Sequence, residues 1–286
     1  MSYYFLCYNV GSNIYDGVSR MDKIKGIVFF DVDGTLIDCR KGIETPSDKT
    51  KEAINRLKEN GYLTVMATGR PMSFLNKNLL SLGLDGYITS NGTYIELNNE
   101  AVLDDSIDKE RMSEIIDYFN EREIEYLLEG QAKSYISSFE TEGNKQVFSG
   151  FSLPLENITD KWSKDEISVS KIVVVNNNEE LFNEMMKIYG EEFVFMQHPG
   201  QISYDMYRKG RTKAYGIQHL IDKLGIDKEN TYAFGDGEND IEMFELVAHG
   251  IAMGDSHERL LEHAYDTTDT VANEGIYNAL VKLNMI

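Results

Sequence analysis

Cysteine is scarce in this chain: Cys7 and Cys39 are the only two in 286 residues, and no CxxC or Cys/His spacing surrounds either. That argues against a disulfide framework and a zinc site, and it fits a reducing cytosol. Long apolar runs are also missing, none approaching the roughly 20 residues needed to cross a bilayer. Residues 1–20 have no basic start and only a short apolar patch at residues 3–8, a poor secretory signal. Positive charge is the third shortage. Lys and Arg total 28 against 48 Asp and Glu, a formal net charge of −20, which repels nucleic acid and anionic membrane at long range. A soluble, cytoplasmic protein with neither nucleic acid nor membrane as partner is expected; its oligomeric state is not legible.

An apolar content of 42% over this length can bury a sizeable core, in one large domain or two modest ones. Residues 24–30 (IKGIVFF) form a short, almost continuous apolar run, the pattern of a strand covered on both faces in a parallel sheet. Helical periodicity follows over 47–60, with Ala53, Ile54 and Leu57 on one side and Gly61 as the stop. Residues 62–67 read as a second strand, a helix is expected from Pro71 to about Leu82, and 86–89 as a third strand. This βαβαβ alternation predicts a doubly wound α/β sheet.

From residue 93 the pattern changes to a hairpin turned at Asn98-Asn99, then to mixed strands and helices. Residues 139–168 read as polar and irregular, anchored by Trp162. Strand and helix alternation resumes with a helix over 212–224 and a strand over 231–234. The predicted organisation is a core of residues 21–92 and 207–286, an inserted α+β domain over 93–206, and a segment 1–20 outside the core. Met21 followed by Asp-Lys-Ile-Lys and a strong strand suggests that the domain begins there.

Four short motifs sit at expected strand or helix ends. Asp31-Val32-Asp33-Gly34-Thr35 follows the first strand, and alternation along extended chain sends Asp31 and Asp33 to one side beyond its carboxyl end, where open α/β sheets place ligands. Thr68-Gly69-Arg70 ends the second strand, where a hydroxyl and backbone N–H groups make a phosphate cradle. Gly235-Asp236-Gly237-Glu238-Asn239-Asp240 follows another strand, so Asp31, Asp33 and Asp236 would form an oxygen-rich pocket suited to Mg²⁺ rather than zinc. Lys213 stands at the head of a helix, where the macrodipole offers it nothing and a local anion would explain it.

Taken together these residues resemble the haloacid dehalogenase superfamily, and within it the Cof-type sugar-phosphate phosphatases with a large α/β cap inserted after the third core strand. Ser90-Asn91-Gly92 matches that family's junction into the cap. The resemblance implies that Asp31 is the nucleophile and a Mg²⁺ ligand. Asp33 would be the general acid and base, with its backbone carbonyl on the metal, Asp236 the third ligand, and Asp240 a support for metal-bound waters. Thr68, the Gly69 N–H, Lys213 and Asn239 would hold phosphoryl oxygens, and Asn91 would face the substrate. The chain departs from the pattern in having Ala214 after Lys213, with Lys209 as a competing match, and Asp255 where the family commonly has an amide. Glu140, His198 and Tyr204 are candidates for the cap side of the cleft. The implied function is Mg²⁺-dependent hydrolysis of a small phosphorylated metabolite through an aspartyl-phosphate on Asp31. The alternatives are a phosphomutase of the same superfamily and a non-catalytic phosphometabolite sensor.

Overall fold

The first strand, β1 (Gly26–Phe30), is buried at every position, and its alternation decides the layering. Val28 and Phe30 point into one apolar cluster with Ile54 and Leu57, while Ile27 and Phe29 point into another with Ile217 and Leu220. Helices therefore cover both faces. The computed structural model describes residues 24–150, 153–198 and 200–286; the segment 1–20, expected to lie outside the core, falls outside the described residues.

The other strands are β2 (Tyr62–Ala67), β3 (Gly86–Thr89), β4 (Tyr94–Leu97), β5 (Glu100–Asp104), β6 (Glu125–Glu129), β7 (Ser134–Ile136) and β8 (Ile158–Thr159). They continue with β9 (Lys171–Val175), β10 (Phe193–Gln197), β11 (Ser203–Arg208), β12 (Thr231–Gly235), β13 (His249–Ala252) and β14 (Asp266–Thr267). Two sheets result. One runs β14-β13-β12-β1-β2-β3-β4-β5, parallel from β14 to β3 and antiparallel beyond; the other runs β10-β11-β9-β6-β7-β8.

The hairpin moves a boundary. β4 and β5 extend the first sheet instead of opening the inserted unit at residue 93, and β11 runs through the expected return point at 206/207. Period-two alternation identifies a strand but not the sheet edge it joins; Ile95 and Leu97 pack beside Ile217 and Leu220, which holds β4 to the core. Asn98 and Asn99, at φ 52° and 63°, make the turn, as two-residue hairpin loops require.

Two local expectations also change. The helix expected from Pro71 to Leu82 is a 3-10 turn, Met72–Phe74, followed by the short helix Lys77–Leu80 capped by Asn76. The stretch 139–168 contains a helix, Glu142–Gly150, whose apolar residues are too few to show a periodic face. Trp162 anchors as expected: its ring meets Tyr126 and Tyr135, and Nε1 donates to the Ile136 carbonyl at 3.0 Å. Among the described residues no helix is long and apolar enough to cross a membrane.

Candidate active site

Asp31 follows β1 directly, and its N–H continues the ladder to the Phe234 carbonyl at 3.0 Å, so the residue is fixed at the carboxyl edge between β1 and β12. Asp236 follows β12 in the same way. Carboxylate oxygens of Asp31, Asp236 and Asp240, all buried, lie within 4.8 Å of one another. Gly34 shows why the first motif contains glycine: its φ is +88°, and a Cβ there would come within 2.1 Å of Asp236 Oδ2. The Asp-Gly pair leaves room for the carboxylate that follows β12.

Lys213, 1% exposed, lies behind this cluster. Its Nζ donates to Asp31 Oδ1 at 2.6 Å and to Asp240 Oδ1 at 2.7 Å, while Asp240 Oδ2 accepts the N–H groups of Asp236 and Gly237 at 3.0 Å each. Asp240 thus orients the lysine and the Asp236 loop together. The helix Lys213–Leu224 is brought this close by two glycines. Ser90, Asn91 and Gly92 are all left-handed (φ 49°, 55° and 85°), and a Cβ on Gly92 would meet the Thr212 carbonyl at 2.3 Å; one on Gly216 would meet Gly92 Cα at 2.8 Å. Lys209 lies on the surface instead.

One ammonium among three buried carboxylates leaves a deficit of positive charge. Burial holds the Asp31 carboxyl well above its ordinary range; Lys213 opposes this, and Asp240 and Asp236 add to it. Burial and then Asp240 push Asp236 up to about 6, against Lys213 and Arg40. Burial works against the Lys213 charge, yet Asp240 and Asp31 raise its pKa. An all-oxygen donor set short of positive charge is what a hard divalent cation satisfies.

Asp33 behaves differently. Its carboxylate is half exposed and held by the Arg70 fork, Nε to Oδ2 at 2.8 Å and Nη2 to Oδ1 at 2.6 Å, so its side chain does not join the acidic cluster. Burial works against the Arg70 charge, but Asp33 raises its pKa overall. Thr68 is buried, its Oγ1 accepting the Arg70 N–H at 3.2 Å. Asn91 packs its side-chain oxygen against Gly69.

A cleft of about 510 Å³ opens over these groups. Asp31, Asp33, Thr68, Gly69, Asp236 and Asn239 line its floor, whereas Lys213, Asp240 and Asn91 lie outside its lining. Asp255 does not face it either and is paired with Lys41, so its extra charge has a partner.

The opposite wall comes from the second sheet. Leu127, Glu129, Lys171, Val173 and Asp205 occupy odd-numbered positions of β6, β9 and β11 and share one face, with His198 beside them. Of the three candidates named for this side, His198 lines the cleft; Glu140 is exposed and outside it, and Tyr204 stacks on Phe182 at 4.6 Å. Glu129, Lys171 and Asp205 escaped sequence reasoning. The available signal was three charged residues at matching parity in otherwise apolar strands. Gln131 escaped it too. Its Oε1 accepts from Met72 N and Thr89 Oγ1, and its Nε2 donates to Ser90 and Ser170, which ties the two sheets together at the cleft's edge.

Carboxylates from separate strand ends, a buried lysine and a covered cleft at the carboxyl edge of a doubly wound sheet define a class, the enzymes that handle phosphoryl groups with carboxylates. A sequence model of haloacid dehalogenase-like hydrolases matches residues 28–280. The chain belongs to that family and is an enzyme of the phosphatase kind. The 5-amino-6-(5-phospho-D-ribitylamino)uracil phosphatase YcsE of Bacillus subtilis is 27% identical over 265 residues, covering 92% of this chain and 97% of that protein. A crystal structure of a hypothetical protein from Geobacillus kaustophilus aligns with a TM-score of 0.83 at 30% identity, over 91% of this chain and 99% of the other. The sugar phosphatase BT4131, of haloacid dehalogenase subclass IIB, aligns with a TM-score of 0.73 at 27% identity, over 91% of this chain and all 100% of its own.

Proposed function

We propose that this chain hydrolyses a small phosphorylated metabolite, a sugar phosphate or a related phosphomonoester, through a phosphoaspartyl intermediate on Asp31. The observation that carries this reading is the placement of Asp31. Its carboxylate ends β1 at the cleft floor, one oxygen held by Lys213 at 2.6 Å, beside the Thr68-Gly69 turn. A sugar phosphatase with the same architecture supports the choice of leaving group.

In the first transfer an Asp31 oxygen bonds to phosphorus while the bond to the leaving oxygen breaks, and Asp33 gives that oxygen its proton. In the second, Asp33 takes a proton from water, whose oxygen bonds to phosphorus as the Asp31 linkage breaks and inorganic phosphate departs. Between transfers the Arg70 fork holds Asp33 at the rim. Thr68, the Gly69 N–H, Asn239 and Lys213 hold the phosphoryl oxygens, and the inserted unit acts as the cap that keeps bulk water from the cleft. The acidic cluster fits Mg²⁺, which Asp31, Asp236 and the Asp33 backbone carbonyl would hold with Asp240 in support, and which would neutralise phosphoryl charge.

Release of inorganic phosphate from 4-nitrophenyl phosphate tests this directly. Asp31→Asn and removal of divalent ions with EDTA should each abolish it, and undiminished turnover in either case contradicts the reading.

A further inference from the structure

The cleft wall facing Asp31 carries a group of charges that phosphoryl transfer leaves unused. Lys171 Nζ lies 3.1 Å from Glu129 Oε2 and 3.0 Å from Asp205 Oδ2, and His198 Nε2 lies 3.1 Å from Asp205 Oδ1. The other ring nitrogen of His198 is 2.8 Å from the Ser203 hydroxyl. Glu129 and Lys171 are cross-strand partners in the register of β6 and β9, and both are buried. All four side chains line the same cleft as Asp31. Around them the wall is apolar: Phe74, Leu127, Val147, Leu153 and Val173.

Such a cluster is a poor choice for stability alone, since hydrophobic residues of similar volume would serve a buried wall at least as well. Its charge balance indicates what it can receive. Among Lys171, Glu129 and Asp205, one ammonium against two carboxylates leaves 1 − 2 = −1, and the ammonium is already engaged by both carboxylates. Within this cluster Lys171 is the one ammonium, and it is held by both carboxylates instead of being left to meet a second anion. Hydroxyl or N–H donors find two carboxylates, and acceptors find the Lys171 and His198 hydrogens. Burial pushes the Glu129 carboxyl up to about 7, Lys171 opposing and Asp205 adding, so the balance of −1 holds above that pH.

We propose that Glu129, Lys171, Asp205 and His198 form the specificity subsite for the part of the substrate beyond its phosphate, selecting a neutral, hydroxyl- or N–H-bearing leaving group over one with a second phosphate or a carboxylate. This rests on the phosphatase reading and deepens it. Discrimination comes from repulsion as much as from attraction, because an anionic tail would be desolvated against a site of its own sign. The apolar residues around the cluster strengthen that effect by excluding water. A bisphosphate would be disfavoured for the same reason, which separates this chain from a bisphosphate-dependent mutase.

The test uses the full chain with Mg²⁺, at a pH above the Glu129 value so that its carboxylate is ionised, and two substrates that differ at the far end, glucose 6-phosphate and 6-phosphogluconate. Wild-type kcat/KM should favour the neutral sugar by about tenfold or more, a ratio that a buried polar site can supply. Glu129→Gln and, independently, Asp205→Asn should each narrow that ratio several-fold, chiefly by lowering KM for 6-phosphogluconate. Thermal unfolding of both variants identifies any that fail to fold, in which case the other decides. Equal or reversed wild-type preference, or an unchanged ratio in a folded variant, overturns the subsite. Failure of the wild type to hydrolyse even 4-nitrophenyl phosphate overturns the phosphatase reading beneath it, a result distinct from hydrolysis without discrimination.

Discussion

Lys213 is a charged side chain at 1% exposure, a state that lasts only where partners are complete. Asp31 and Asp240 complete it, and the lysine in turn limits repulsion among three carboxylates. Lys213→Ala should therefore lower kcat by about 10²-fold or more, the range for removing one fixed charge stabiliser from a reacting anion. Lys209→Ala, at an exposed position, should stay within about 0.5 kcal/mol of wild-type stability and leave kcat unchanged. Steady-state kinetics on both variants checks the pair, and the opposite ranking would transfer the role to Lys209. At this scale the sequence was most legible where a motif abuts the end of a strand, as at Asp31 and Asp236, or the start of a helix, as at Lys213. Arg70 stood within a quoted motif without a role, because its partner Asp33 is 37 positions away and the contact depends on how two strand ends meet.

Elements bring these side chains together through close backbone approach. The helix that begins at Lys213 meets the Ser90-Asn91-Gly92 turn with no space for a Cβ at Gly92 or Gly216. Gly92→Ala should combine left-handed strain with a 2.3 Å clash on the Thr212 carbonyl, costing about 2 kcal/mol or more and lowering activity by displacing Lys213. Gly225 ends the same helix at φ 63° with nothing near its missing Cβ, so Gly225→Ala should cost only about 1 kcal/mol and spare activity. Denaturant unfolding and kinetics on the two variants would separate packing from backbone strain; equal effects on activity would contradict this account of how the lysine is positioned. Strand and helix periods announced most of the parallel sheet and the helix over 213–224. They could not announce the edge that the β4–β5 hairpin joins, since alternation is the same in either sheet. Nor could they show that Glu129, Lys171 and Asp205 share a wall, which depends on the register of β6, β9 and β11.

Across the whole molecule, the two crossings between the sheets are fastened at one residue. Asp105, just past β5, pairs with Arg208 at 2.8 Å and Arg211 at 2.6 Å and accepts from the Tyr215 hydroxyl at 3.1 Å, so the outgoing and returning segments are held together. Burial tends to raise the Asp105 carboxyl, but Arg208, Tyr215 and Arg211 hold it below its ordinary value. A carboxyl whose folded pKa lies below its unfolded one binds fewer protons when folded. Its contribution is complete above the unfolded value of about 3.9 and is lost as pH falls through the folded value. Asp105→Asn should therefore lower the thermal midpoint at pH 7, with the gap from wild type closing below about pH 4. A gap independent of pH would assign the residue a role other than its charge. The net charge of −20 was legible from composition and predicts weak affinity for polyanions, whereas the cations that matter are placed one at a time by the fold.

The central claim is that the Asp31 carboxylate itself carries the phosphoryl group. Acid quenching of the enzyme during turnover of a phosphomonoester, followed by mass spectrometry of its peptides, tests it most directly. The phosphoryl group should be found on the peptide bearing Asp31 and vanish in Asp31→Asn. A phosphoryl group found on another residue, or persisting when Asp31 is replaced, would contradict the account.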